Sequence, residues 1–332
     1  MNVRKILAVT MLVVFVYAAF VLYNDVGKLR AALSHFQWWT FFVALALASG
    51  NYALRFLKWQ YYLLRLKVEG VPWVESLTVF LAGFAMSITP AKAGEVFKSA
   101  LLASARGVSI VRTAPVVVAD RLTDLIALIL IAVTGSFWFE GGRLPALAAS
   151  VMVGALLVFI FVPSLGEAVI KVAERLPVGR KLAPRAREAY AALRLLAGPS
   201  ALVLPTILSL IAWGFECLGL WVILRGLEHP VSVFVSFFVY AVATVAGAVM
   251  MLPGGVGGTE ATMEALLESL AVPSMPREAA ACGVLLVRFA TLWFAVGVGA
   301  VALAVFRRKY DRNMLGDGSQ KAPATEGAPV AG

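Results

Sequence analysis

Charged side chains are scarce in this sequence. Asp, Glu, Lys and Arg make up 14% of its 332 residues, whereas 61% of the residues are hydrophobic. A soluble domain of this length needs more polar surface than such a composition supplies. The shortage of charge therefore excludes an ordinary soluble protein and indicates a membrane protein.

Cysteine and histidine are also rare. The two cysteines, Cys217 and Cys282, lie inside apolar runs, where buried free thiols are expected rather than a disulfide framework. The two histidines, His35 and His229, stand alone at the ends of apolar runs. These residues do not form the clustered ligand set that a metal site needs, so no bound metal is expected.

Several motifs of enzyme chemistry are absent from the sequence. It contains neither the Gly-rich Walker loop of ATPases nor the Gly-x-Ser-x-Gly motif of serine hydrolases, and no convincing dinucleotide-binding Gly-x-Gly-x-x-Gly motif. We therefore expect no cofactor. We also do not expect this chain to drive transport by hydrolysing ATP on its own.

Long apolar runs are what the sequence has in abundance. Many approach or exceed the ~20 residues that an α-helix needs to cross the ~30 Å hydrocarbon core of a bilayer. They predict an all-α polytopic membrane protein, with two further segments, 91–104 and 254–271, as short re-entrant or broken helices. The predicted spans, about eight in number, cover roughly residues 5–23, 39–57, 74–89, 110–134, 144–163, 200–224, 232–252 and 279–305.

The net charge of +10 comes mostly from basic residues between the apolar runs. That placement favours contact with an anionic membrane surface and argues against a nucleic-acid partner. Residues 164–199 are basic and have apolar residues at helical spacing, which predicts a cytoplasmic linker of amphipathic helices, with a plain solvated linker as the alternative. Residues 1–308 are predicted to form one transmembrane domain, and the small polar residues of 309–332 predict a disordered tail.

The basic clusters also constrain the topology. If all of them face the cytoplasm, each interval between two clusters must contain an even number of crossings. Two intervals contain an odd number of clear spans. The number of crossings becomes even if each short segment pairs with the span before it, so that the pair either crosses the membrane twice or enters and returns. We expect an inner-membrane protein with both termini in the cytoplasm. The clusters are Arg4 and Lys5; Lys58, Arg65 and Lys67; residues 164–199; and residues 307–312.

Two motifs match each other across the chain. Each contains a proline, then glycine, then glutamate, and the offset between the two motifs is nearly constant. Together with the parity of the spans, this match predicts an inverted-topology repeat with halves at about 39–134 and 200–305. The motifs are Pro90-x-Lys92-x-Gly94-Glu95 and Pro253-Gly254-Gly255-x-Gly257-Gly258-x-Glu260.

Each motif predicts a broken helix. Proline lacks an amide proton and disfavours helix in the residue before it, so Pro90 and Pro253 are expected to break their helices, with Gly94 supporting the first break. A new helix begins after each break, and its free N–H groups and positive dipole end suit an anionic group such as phosphate. The glycines of the second motif allow a ligand to approach the backbone closely.

Charged residues within or beside the apolar runs form the candidate site. An intramembrane charge is costly unless it is paired or faces a watery cavity, so we predict that these side chains surround a polar cavity that binds an anionic headgroup. Structural ion pairs that lock the helices together are the alternative. The glutamates alone would repel phosphate and are expected to partner arginines or to carry protons. The candidates are Lys92, Glu95, Lys98, Asp120, Arg121, Asp124, Glu216, Glu260 and Arg288.

A family resemblance rests on four stretches, which are NYALRFLKW (51–59), PAKAGEVFKSALL (90–102), DRLTDL (120–125) and PGGVGGTEATMEALL (253–267). In this order they resemble the flippase-like membrane domain family, which includes the transmembrane region of lysylphosphatidylglycerol synthases. The resemblance covers about residues 1–308 and implies an inner-membrane protein that moves phospholipids, polyprenyl-linked lipids or other lipids across the bilayer. Because the chain ends soon after the last predicted span, the soluble aminoacyl-transfer domain of the full synthases is not expected, and neither is lysyl transfer.

Three hypotheses follow. The leading one is a lipid translocase that binds an anionic headgroup in the polar cavity while the acyl tails stay in the bilayer. The second is an integral-membrane transferase that acts on a lipid-linked sugar or headgroup, with an acid or base among Glu95, Asp120, Asp124 and Glu260. The third is an accessory partner of a separate lipid-modifying enzyme, which would co-purify with that enzyme and show no activity alone.

Overall fold

Helices make up the described part of the chain, in agreement with the all-α prediction. The computed structural model describes residues 26–88, 96–137, 193–196, 198–250, 252–271 and 274–316, and the single positions 151, 187, 190 and 191. No strand occurs within these ranges. The predicted spans 5–23 and 144–163, apart from residue 151, lie outside them, as do most of the predicted linker 164–199 and residues 317–332.

The first group of helices precedes residue 137. In chain order, its helices are α1 (Val26–Ser34), α2 (Trp38–Arg65), α3 (Trp73–Ala82) with a following 3₁₀ turn (Gly83–Met86), α4 (Phe97–Arg106) and α5 (Ile110–Ser136). Gly107 ends α4 in the left-handed conformation, with φ of +67°, which glycine adopts without steric cost.

The second group follows residue 198. Its elements are α6 (Pro199–Gly226), α7 (Val233–Val249), a 3₁₀ turn (Pro253–Gly255), α8 (Gly258–Leu270), α9 (Arg277–Arg288), a π turn (Phe289–Trp293) and α10 (Phe294–Gly316). Pro199 occupies the first turn of α6, where its missing N–H costs nothing. Around Pro253, where the sequence predicts a break, α7 ends at Val249 and α8 begins only at Gly258.

Three helices of the described chain are long and apolar enough to cross a membrane: Trp38–Arg65, Ser200–Gly226 and Arg277–Lys309. Trp73–Met86 and Val233–Val249 are shorter apolar helices. The predicted span 110–134 forms a helix of 27 residues, but charged residues such as Asp120, Arg121 and Asp124 interrupt its apolar sequence. Length and composition therefore identify three of the predicted spans.

Two predicted boundaries differ from the structure. Helix α2 continues past the predicted end at residue 57 to Arg65, because Lys58 and the polar residues around it are buried within the bundle. Helix α10 continues to Gly316, into the segment that the sequence predicts to be disordered.

The helices pack around a central pair. α2 lies along α6, while α3 packs against α10 and α7 packs against α5. One apolar core joins α6, α7, α8 and α9, and a second joins α2, α3 and α4. The boundary between these cores passes through α2 and through the middle of α5, which is where the candidate site lies.

We predict opposite effects for two glycines of α10. A Cβ at Gly299 would lie 2.6 Å from the carbonyl carbon of Phe84 and even closer to the Ala85 nitrogen, so Gly299→Ala should separate α10 from the 3₁₀ turn. This overpacking should lower the stability by about 1–3 kcal/mol. A Cβ at Gly297 meets no described atom within 4 Å, so Gly297→Ala should be neutral or up to about 1 kcal/mol stabilising.

Thermal unfolding of the purified variants in one detergent measures both effects. Equal unfolding midpoints for the two alanine variants would contradict the close approach of α10 to the 3₁₀ turn.

Candidate functional site

A cavity of about 280 Å³ lies between the two apolar cores. It is bordered by the middle of α2, α5 and α6, by the junction of α9 and α10, and by the glycine turn before α8. Apolar residues such as Leu128 and Leu292 form much of its wall. Its charged lining residues are Arg55, Arg121, Asp124, Glu216 and Arg288.

Beside the cavity, a buried lysine connects three helices. Lys58 of α2 is fully buried, and its Nζ lies 2.7 Å from Asp120 Oδ1 and 2.6 Å from Asp124 Oδ1 on α5. The same ammonium donates to the hydroxyl of Ser209 on α6 over 2.7 Å. A buried ammonium needs such partners because its desolvation is costly. The Lys58 cluster, meaning Lys58, Asp120, Asp124 and Ser209, therefore joins α2, α5 and α6.

Two arginines approach the same carboxylates from the side of the cavity. Arg55 Nη2 lies 3.2 Å from Asp120 Oδ2 and 3.4 Å from Asp124 Oδ2. Arg121 Nη2 lies 2.9 Å from Asp120 Oδ2, and its Nη1 lies 3.4 Å from Asp124 Oδ2. Together with Lys58, three cations share two carboxylates, which leaves this wall with a net positive charge. The Arg121 side chain is 26% exposed, compared with 9% for Arg55, so Arg121 is the more accessible cation.

On the opposite side, Arg288 is held by the glycine turn and by α8. Its Nε lies 2.6 Å from Glu260 Oε1, and its Nη2 donates to the Gly254 carbonyl over 2.7 Å. The other oxygen of Glu260 accepts the Gly257 N–H over 2.7 Å at the start of α8. The helix start that we expected to attract a ligand anion is therefore already capped by a carboxylate of the chain itself.

Hydroxyl groups complete the cavity wall. The Tyr240 hydroxyl donates to Glu216 Oε2 over 2.5 Å, and the Tyr52 hydroxyl donates to the Thr291 carbonyl over 2.9 Å. Thr291 lies in the π turn, a distortion that is frequent at functional sites. The wall thus combines charged groups with tyrosine and threonine oxygens on an apolar frame.

The structure brings most of the described candidate residues together. Arg121, Asp124, Glu216, Gly254, Gly255 and Arg288 line the cavity. Asp120 and Glu260 lie behind the arginines that they bind. Four candidates, Pro90, Lys92, Gly94 and Glu95, lie outside the described residues.

Two other candidates have different surroundings from those expected. Lys98 is buried and does not line the cavity; its Nζ lies 5.5 Å from the ring centroid of Trp59 and 5.2 Å from that of Phe80. Gly258 packs against Met250 and Leu252 and is not among the residues that line the cavity.

Sequence reasoning missed the lysine at the centre of the site. We expected Lys58 to belong to a cytoplasmic basic cluster, and this expectation is wrong because Lys58 is fully buried between α2, α5 and α6. The signal was present in NYALRFLKW, where Asn51, Arg55 and Lys58 share one helical face. Tyr52 and Tyr240 were also missed, and a single tyrosine in an apolar run carries no such signal.

A metal has no clear place in the described part of the chain. No group of three or more His, Cys, Asp and Glu side chains that could hold a metal ion occurs there. The acidic groups Asp120, Asp124 and Glu260 are bound to lysine or arginine instead.

These features describe a helical membrane protein with a charged cavity at the middle of its long helices. The chain belongs to the lysylphosphatidylglycerol synthase TM region family, whose model matches residues 6–299. It is also similar to a UPF0104 membrane protein of Methanothermobacter thermautotrophicus, strain Delta H, with 22% identity over 316 residues. That match covers 85% of this chain and 88% of the relative. The family resemblance inferred from the sequence motifs is therefore confirmed.

We predict that Lys58→Met will destabilise the protein strongly. It removes the ammonium from two buried carboxylates, and breaking a buried ion pair by removing one partner costs about 3–5 kcal/mol. Lys67→Met is the matched control, because Lys67 is exposed just beyond α2. Adding Asp124→Asn to Lys58→Met should recover part of the loss, since it removes one of the two buried carboxylates that lose the ammonium.

Thermal unfolding of the three variants in detergent provides the measurement. If Lys58→Met unfolds at the same temperature as Lys67→Met, the Lys58 cluster does not hold the helices together.

Proposed function

We propose that this protein translocates a lipid across the cytoplasmic membrane. An anionic headgroup passes through the cavity, while the hydrocarbon tails remain in the bilayer. The observation that carries the proposal is the convergence of three guanidinium groups, those of Arg55, Arg121 and Arg288, on a cavity that is otherwise largely apolar.

The charge of the cavity suits a phosphate-containing headgroup. Its lining has three guanidinium groups but two carboxylates, Asp124 and Glu216. Guanidinium groups bind phosphate oxygens through paired, charge-assisted hydrogen bonds. The tyrosine and threonine hydroxyls of the wall add partners for sugar or glycerol oxygens.

The depth of the cavity also supports translocation. Tyr52, Trp213 and Arg121 lie near the middle of α2, α6 and α5, far from either end of these helices. Polar groups at this depth are costly in a membrane and mark the routes of polar substrates. A headgroup that crosses the bilayer needs polar partners at the depth where water is scarcest.

The arrangement of the helices supports the predicted inverted repeat. A long helix, two short ones and a long one follow each other in 38–136. The same order recurs in 199–316, where α9, the π turn and α10 form one continuous long helix. The packing is reciprocal, because α3 packs on the last helix of the second group and α7 packs on the last helix of the first. We propose two inverted halves within about eight spans, with both termini in the cytoplasm, as in transporters with internal repeats.

The ion pairs argue against the transferase hypothesis. A general acid or base must exchange a proton with the substrate, whereas the carboxylates of Asp120, Asp124 and Glu260 are bound to Lys58 or to arginines. In the translocase, these carboxylates position the cations of the cavity. The role of an accessory partner predicts no lipid transfer by the purified chain, which makes it an outcome of the same experiment.

We predict that Arg121→Gln will slow lipid translocation at least about tenfold, because one charge-assisted hydrogen bond contributes roughly 1.5–3 kcal/mol. Arg121→Lys should retain more activity, since it keeps the charge but loses the planar donor pair. The measurement is the dithionite-accessible fraction of a headgroup-labelled fluorescent phosphatidylglycerol in liposomes containing the purified protein.

Arg225→Gln is the matched control. Arg225 is exposed near the end of α6, where its guanidinium group stacks on Trp221 outside the cavity. If the labelled lipid becomes accessible to dithionite no faster in vesicles with the wild-type protein than in protein-free vesicles, the proposed translocation of this lipid is overturned. Equal rates for Arg121→Gln and the wild type would overturn the cavity assignment alone.

A further inference from the structure

A second concavity lies on the outside of the bundle, between α3 and α10. It has a volume of about 540 Å³, and its lining is almost entirely apolar. Thr78 is its one hydroxyl-bearing lining residue, and this hydroxyl donates to the Val74 carbonyl of its own helix over 2.8 Å. We call this concavity the α3–α10 groove. Its walls include Val74, Leu77 and Leu81 of α3 and Gly297, Val301 and Val305 of α10.

The groove has the length of one bilayer leaflet. Along α10 its lining runs from Phe294 to Val305, which corresponds to about 16 Å at ~1.5 Å per residue. The hydrocarbon core of a bilayer is ~30 Å thick, so the groove covers about half of it. An acyl chain of a single leaflet extends over the same depth.

The inner end of the groove meets the wall of the cavity. Phe294 lines the groove, and its ring stacks on that of Tyr52, which lines the cavity, with 5.8 Å between ring centroids. Phe84 also lines the cavity, and its ring centroid lies 4.9 Å from that of Tyr52. Three aromatic rings therefore separate the two spaces.

The outer end of the groove is basic. Lys309 lies one helical turn beyond Val305, and its Nζ is 3.4 Å from Glu75 Oε2, next to Val74. Glu75 also binds Arg106, whose Nε lies 2.6 Å from Glu75 Oε1. Two cations thus share one carboxylate, and the exposed Arg308 follows Val305 on the same side of α10.

We propose that the α3–α10 groove is a binding site for one hydrocarbon chain of an anionic membrane lipid, whose headgroup lies against Arg106, Arg308 and Lys309. The uncharged lining suits a hydrocarbon chain and offers no partner to the backbone of a non-helical peptide. The cationic end selects an anionic headgroup. Lipid binding in the groove is measured without any transport assay, so its test is independent of the test of translocation.

The test is photolabelling of the full chain in nanodiscs of phosphatidylcholine. The probes are trace amounts of phosphatidylglycerol with a diazirine either near the headgroup or at the end of one acyl chain. The chain-end probe should label residues near Leu81 and Phe294, and the headgroup-proximal probe should label residues near Val74 and Val305. A phosphatidylcholine probe should label these peptides several-fold less, and Arg308→Gln with Lys309→Gln should abolish that difference.

Gly297→Leu should reduce the groove labelling by phosphatidylglycerol about tenfold or more, which corresponds to the loss of roughly two buried methylene groups. The fold should persist, because a Cβ at Gly297 meets no described atom within 4 Å. Ala300→Leu is the matched control, since Ala300 is exposed on the same helix and does not line the groove.

Three results would overturn the proposal. Equal labelling by both headgroups would mean that the groove holds annular lipid only. Unchanged labelling of Gly297→Leu would mean that the hydrocarbon chain of the lipid binds elsewhere. Absence of labelling in the wild type would mean that another segment of the chain or a second copy covers the groove.

Discussion

The arrangement of the site depends on one buried ammonium group. Lys58 is surrounded by oxygens from two helices other than its own, and its removal would take from Asp120 and Asp124 the cation that also binds Ser209 of α6. Breaking a buried ion pair costs far more than a surface ion pair contributes, so these contacts favour one relative position of α2, α5 and α6.

The same carboxylates determine where the arginines point. Asp120 and Asp124 bind Lys58 on one side and present their remaining oxygens to Arg55 and Arg121 on the other. Glu260 does the corresponding work for Arg288. The acidic residues therefore orient the cations, and they reduce the cost of placing three guanidinium groups around one small space.

Much of the fold and part of the site were predictable from the sequence. Apolar runs predict the long helices of the described chain, Pro253 predicts the gap between α7 and α8, and the charges at Arg121, Asp124 and Arg288 mark residues that line the cavity. Periodicity does not show which helices face each other, so the partner of Asp120 and Asp124 could not be inferred. A lysine near the end of an apolar run usually faces water, so the sequence predicts that Lys58 belongs to a cytoplasmic basic cluster.

The two principal arginines of the cavity differ in how freely they can respond to a ligand. Moving Arg288 would strip a donor from both the Glu260 carboxylate and the Gly254 carbonyl, in a turn where Gly254, Gly255 and Gly257 all adopt positive φ. Arg121 is more exposed and shares its carboxylates with other cations, so it can turn away without stranding a charge. The cavity thus has a rigid wall at Arg288 and a compliant wall at Arg121, so a bound anion would be accommodated by movement of Arg121 rather than of Arg288.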